Sequence, residues 1–141
     1  MINREPIYAA LFAKFAAIPG IKTRSRRLKH WTDVPPSNQP ALFQTQITET
    51  ADKRPGIPTK WTLRAEIYVY VNAGKDPHAI PATAINAVLD AVEAALQPEP
   101  CEEEQTLGGL VQRCWISGTI ETDEGALGEQ SVAIVPIEIL P

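Results

Sequence analysis

The sequence predicts an α+β fold: one open sheet of about five strands, mixed or antiparallel, carrying two helices on one face in the order α-β-β-β-α-β-β. Three observations lead there. Apolar residues recur at helical spacing near the start, as Ile7, Leu11, Phe15 and Ile18, and again at 85–96. Residues 61–73 alternate strictly, with Trp61, Leu63, Ala65, Ile67, Val69 and Val71 set against more polar neighbours. The length of 141 residues, with 44% hydrophobic and 21% charged, suits one core, so residues 1–141 form a single domain.

Asn3 stands where a helix cap belongs, Glu5 and Pro6 suit a first turn, and Pro19-Gly20 ends the helix. Residues 22–31 read as a short strand or extended arm with a basic face. The run Val34-Pro35-Pro36-Ser37-Asn38-Gln39-Pro40 excludes helix and strand alike, so it is a loop. Residues 41–50 resume β-type composition, and 51–60, with Pro55, Gly56 and Pro58, read as a long mobile connection. The strand at 61–73 has one core face and one face of charges, Tyr68 and Tyr70, able to meet solvent or a partner.

After a turn at 74–81 the second helix covers about 82–96, placing Ile85, Val88, Leu89, Val92 and Leu96 on one side before Pro98 and Pro100 end it. Two further strands are expected at about 111–122 and 131–140, joined through 123–130. Pro136 offers no ladder donor, so the last strand should lie at an edge or carry a bulge there.

Charge is distributed unevenly. Residues 1–92 hold 12 Lys/Arg against 7 Asp/Glu, whereas 93–141 hold Arg113 alone against 10 acids. Such asymmetry can steer one copy's basic surface toward another copy's acidic surface, in a head-to-tail contact that closes into a ring where the rotation permits. The same charges could instead meet within one monomer or face water.

No catalytic constellation emerges. His30 and His78 lie far apart with no Cys or carboxylate at metal-ligand spacing, so neither a metal nor another cofactor is expected. Cys101 and Cys114 are read as free thiols rather than a bridge or a catalytic pair. Glu102-Glu103-Glu104 lacks the alternating oxygen donors of a calcium loop, and Thr106-Leu107-Gly108-Gly109-Leu110 lacks the lysine of a phosphate-binding loop. Apolar runs fall far short of the roughly 20 residues that span a bilayer, and Met1 to Pro6 carries no secretory pattern, so no membrane role is expected. The one concentrated basic patch, 22–31, leaves nucleic-acid contact, protein contact and a solvated strand open. On an extended strand Lys22, Arg24 and Arg26 share one face while Arg27 and Lys29 share the other, which splits the charge rather than building one phosphate track.

Several blocks are specific in their wording: Ile7-Tyr8-Ala9-Ala10-Leu11-Phe12, Ser25-Arg26-Arg27-Leu28-Lys29-His30-Trp31, Gln39-Pro40-Ala41-Leu42-Phe43 and Pro58-Thr59-Lys60-Trp61-Thr62-Leu63. With Asn86-Ala87-Val88-Leu89-Asp90-Ala91-Val92-Glu93-Ala94-Ala95-Leu96, Thr106-Leu107-Gly108-Gly109-Leu110-Val111 and Ile120-Glu121-Thr122-Asp123-Glu124-Gly125, they make a chain that resembles the tail-completion, or tail-terminator, proteins of long-tailed bacteriophages and prophages. The element order is also similar to that of the lambda-type minor tail protein U.

The resemblance implies a non-enzymatic virion protein at the head-proximal end of the tail, assembled in the bacterial host cytoplasm. It would form a ring, expected to be hexameric, that caps the tail tube, stops its polymerisation and offers a surface to the head-tail connector protein. Its partners would then be further copies of itself, the tail-tube protein and the connector. Subunit contacts are expected between Lys22, Arg24, Arg26 and Arg27 of one copy and Glu121, Asp123, Glu124 or Glu129 of the next. Docking onto the tube is expected from Asp52, Lys53, Arg54 and Ile57. A connector or neck adaptor on the portal side, a nucleic-acid-binding protein using 22–30, and a small enzyme are the alternatives.

Overall fold

The computed structural model describes residues 1–141. Its elements are α1 (Arg4–Ala16), β1 (Thr23–Ser25), β2 (Ala41–Asp52), β3 (Lys60–Asn72), α2 (Pro81–Ala95), β4 (Arg113–Ile116), β5 (Glu121–Leu127) and β6 (Gln130–Leu140), with short 3-10 turns at Trp31–Asp33 and Pro36–Asn38. The six strands form one mixed sheet in the order β1-β2-β3-β6, with β4 and β5 sharing the far side of β6. The parallel β1–β2 pair is the exception in an otherwise antiparallel ladder. This is the expected α+β sheet with both helices on one face, differing in its details at the strand ends.

The core follows from the alternation. Leu63, Ala65, Ile67, Val69 and Val71 of β3 stand beside Ala133, Val135, Ile137 and Ile139 of β6 on the face that meets Ile7, Leu11 and Phe15 of α1 and Ile85, Val88 and Val92 of α2. Pro81 occupies the first turn of α2, where its missing N–H costs nothing. Asn3 takes the N-cap position of α1 but makes no side-chain capping bond. Phe15 is 0% exposed at the centre of this layer. Phe15→Ala is therefore expected to destabilise the fold by about 3–5 kcal/mol through lost burial and the cavity left behind, read as a lower urea midpoint at unchanged slope.

The other face is covered at one end. The chain leaves β1 and passes across that face, so that Val34 packs with Ala41, Phe43 and Tyr70, flanked by Trp31, Tyr68 and Val132. The Tyr70 hydroxyl donates to the Lys29 carbonyl at 2.6 Å. Gln39 and Gln130 exchange two amide hydrogen bonds, both 2.9 Å, in a buried pair that ties the loop to β6. The expected basic strand over 22–31 is thus three residues long, because the backbone turns away to cover Phe43 and Tyr70.

Burial pushes the hydroxyls of Tyr8 and Tyr70 up to about 12, with the Glu49 charge adding to the effect at Tyr8 and Tyr68 adding at Tyr70. A folded-state value above the unfolded value of 10.0 contributes stability that is fully present below pH 10 and lost as pH rises through about 12. Thermal unfolding is accordingly expected to fall steeply across that window, and the double variant Tyr8→Phe/Tyr70→Phe to flatten the fall.

Two further expectations are corrected on the β6 side. The strand expected at 111–122 is two strands separated by 117–120, and the expected connection 123–130 is mostly β5 and its hairpin turn. Pro136 lies inside the sheet, opposite Glu66 of β3, and not at an edge. Its carbonyl accepts the Ser117 N–H at 3.1 Å. Since the N–H and C=O of a strand residue point to the same side, the missing donor of Pro136 faces the break between β4 and β5. Gly118, at φ +113°, crosses that break with Pro136 Cγ 3.4 Å from where a Cβ would sit.

Candidate functional site

The basic residues lie along the β1 edge. Pro19-Gly20 ends α1, the Lys22 N–H donates to the Pro40 carbonyl at 2.9 Å, and three residues then pair with 41–43 of β2. Two of the four cations are engaged within the chain. Arg24 donates to the Ile18 carbonyl, and Arg26 ion-pairs with Glu5 of α1, which holds the Glu5 carboxyl below its usual range. Lys22, Arg27 and the nearby Lys29 have no ion-pair partner, and all three are exposed.

The acidic residues occupy the opposite side of the sheet. Glu121 and Asp123 pair with Ile134 and Val132 of β6, then the register shifts before Leu127, around Glu124 and Gly125. Glu129 sits in the turn between β5 and β6. None of Glu121, Asp123, Glu124 and Glu129 forms an ion pair. The fold does not bring the two charged sets together, since β2, β3 and β6 stand between β1 and β5. Trp31, at the end of the basic segment, shares a shallow cleft with Glu121, Asp123 and Val132.

The third group is at the tip of a projecting hairpin. The β2–β3 ladder continues to Asp52 and Lys60, whereas the pairing of β3 with β6 begins at Leu63. Residues 51–58 are all exposed. The expected long connection shrinks to 53–59 and is organised: the Ile57 N–H donates to the Arg54 carbonyl around Pro55-Gly56, with Gly56 at φ +77°. Proline followed by a left-handed glycine is the pattern of a type II turn. Lys53 Nζ donates to the Ile57 carbonyl at 2.8 Å and Arg54 meets Asp52 at 3.5 Å, leaving the Ile57 side chain 51% exposed. The hairpin therefore presents one apolar group between cations, far from both charged edges.

Two cavities went unread in the sequence. One, of about 690 Å³, is an alanine-rich groove between α1 and α2, lined by Ala10, Ala13, Ala17, Ala91 and Ala94. The other, of about 680 Å³, lies between α2 and the β4–β5 side and is lined by Leu89, Leu96, Ile116 and Ile120 with Asp90 and Glu93. Leu89 and Ile120 carried a usable signal, being apolar residues only partly covered by the core, but reading 111–122 as one strand concealed it.

His30 Nδ1 lies 2.7 Å from the Thr32 hydroxyl and serves a local turn. No three His, Cys, Asp or Glu side chains converge as a metal site requires. No helix is long and apolar enough to cross a membrane. Burial pushes the Cys114 thiol up to about 12, while Cys101 is exposed.

No family model and no curated protein matches the sequence. Among solved structures the chain is similar to one in the virion of a native gene transfer agent particle, at a TM-score of 0.55 and 15% identity, covering 98% of each chain. The likeness is one of fold and runs from end to end.

Proposed function

We propose that this chain is a structural subunit of a phage-like virion. Copies join head to tail into a closed ring, with six the expected number, over the end of the tail tube. The ring occupies the place where the next tube layer would dock, which ends polymerisation, and its other side receives the head-tail connector. The protein does its work at the head-proximal end of the tail, after assembly in the host cytoplasm. It does so by shape and charge, with no catalytic step and no cofactor.

The observation that carries this reading is the end-to-end likeness to a chain of a gene transfer agent virion. The charge layout supports the ring in particular. A heterologous contact needs two different, complementary patches on one subunit. Here unpaired cations at the β1 edge and unpaired carboxylates at β5 lie on opposite sides of one sheet, so neither set is neutralised by the other within a copy.

Sedimentation across protein concentration and salt tests the proposal. A single closed species is expected at about 0.1 M salt, where charges are felt over about 10 Å, with dissociation toward about 1 M, where the range is about 3 Å. A monomer at every concentration, salt and tail-tube addition overturns it.

A further inference from the structure

The sheet leaves a long stretch of backbone uncovered. β1 pairs only with residues 41–43 of β2, so the outer edge of β2 is free of strand partners from 44 to 52. Such edges invite pairing with another chain unless something covers or distorts them. Here the distortion is a bulge between Gln46 and Thr48, and the residue it sets apart is Ile47, which is 46% exposed. An isoleucine at a bulge on a free edge is unexpected in a surface that serves only solubility, because bulges re-aim a side chain and charged residues usually guard edges. Glu49, two residues on, stands beside the core residue Leu63 and meets Arg4 of α1 at 2.6 Å. Gln46, on the other flank of the bulge, pairs with the core residue Ala65, so the helix-bearing side is shared by both flanks, and the extra residue Ile47 falls on that side counting back from Glu49.

The cavity lined by Leu89, Ile116 and Ile120 also opens on the helix-bearing side, at the far edge. The cross-strand register relates the two. Gln46 pairs with Ala65, Ala65 with Ile137, and Ile137 with Ile116, so one row of partners runs from the bulge on β2 to the cavity beside β4. A closed ring has no rise between subunits, so patches that meet lie at equal height. When copies stand edge to edge with strands side by side, Ile47 of one copy arrives level with Ile116 and Ile120 of the next. The same approach brings the unpaired cations of the β1 edge toward β5, and Asp90 and Glu93 at the cavity have no cation of their own chain.

We propose that the cavity between α2 and the β4–β5 edge is a socket for Ile47 of a second copy of this chain. This rests on the ring reading above and names the apolar contact that fixes its register. The charged edges supply attraction and orientation, and the isoleucine in its socket supplies the desolvated anchor that charge alone does not provide.

Cross-linking tests it in full-length protein carrying Cys101→Ser, which removes the exposed thiol; Cys114 is buried and unreactive. Ile47→Cys and Ile120→Cys are introduced singly and together, and a short bismaleimide is added at low salt. The double variant is expected to give a ladder of covalent multimers up to the closed ring, and each single variant nothing beyond a dimer. Ile47→Asp, at an exposed position, is expected to keep the fold and raise the concentration needed for assembly at least tenfold. Rings of full mass with no ladder overturn the socket and leave the ring standing. So does unchanged assembly of Ile47→Asp, or capture of tail-tube protein by the Ile120→Cys variant in place of a second copy. Absence of any ring overturns both.

Discussion

Reversing Lys22 and Arg27 together, as Lys22→Glu/Arg27→Glu, is expected to raise the concentration for half-assembly of the ring by about 100-fold or more while leaving thermal unfolding unchanged. The two residues are chosen because neither has an in-chain ion pair to lose, unlike Arg26 with Glu5. A single exposed pair contributes only about 0.2–1 kcal/mol. Reversal does more than remove a pair, since in the proposed contact each new carboxylate would face the cluster Glu121, Asp123, Glu124 and Glu129, and like charges brought together cost several kcal/mol. A hundredfold change in an equilibrium constant corresponds to about 2.7 kcal/mol, within the reach of such repulsion. Compensation provides the control: adding Glu121→Lys/Glu124→Lys to the reversed protein should restore assembly, whereas those two substitutions alone should also break the ring. Sedimentation of the four proteins at one ionic strength decides the matter, and equal assembly in all of them contradicts the edge-to-edge contact.

The second large effect concerns the hairpin. Replacing residues 53–59 with Asn-Gly joins Asp52 to Lys60, which already face each other in the ladder, through a two-residue type I′ turn suited to the strand twist. The shortened protein is expected to fold and form rings, because nothing in the core reaches the tip. It should fail to hold tube ends, giving tails of scattered length that do not join heads. Ile57→Asp alone is expected to weaken tube binding by about 30-fold or more, the scale of an apolar anchor at the centre of a contact. Measured tail lengths that stay uniform in a phage carrying the shortened hairpin reject the docking role of Asp52, Lys53, Arg54 and Ile57.

The two helices and the central strand were legible because their signals are local. The spacing of Ile7, Leu11 and Phe15 selects a helix face, and the alternation from Leu63 to Val71 selects a strand face, whatever lies opposite. What the sequence concealed depends on neighbours. Pro136 reads as an edge residue because its missing donor is visible, but which of the two flanking strands breaks opposite it is set by residues 117–120. Tyr70 reads as a surface tyrosine until the loop after β1 folds over it. Arg24 and Arg26 look available in a basic run, yet Arg24 is taken up by the Ile18 carbonyl just beyond α1 and Arg26 by the Glu5 carboxylate of α1. The bulge that frees Ile47 leaves no mark in composition, since it records a mismatch of register between two long strands. Of the candidate site, the charge groups could be named from sequence, while their placement at opposite sides of one sheet needed the fold.

In the proposed assembly identical copies close into a collar that seats on the tail tube. Electron microscopy of the purified protein mixed with tubes that lack a terminator measures it directly. Rings of uniform diameter, found free at low salt and seated at one end of each tube, are the predicted result. Bare tube ends beside monomeric protein, at concentrations well above those reached in an infected cell, would contradict it.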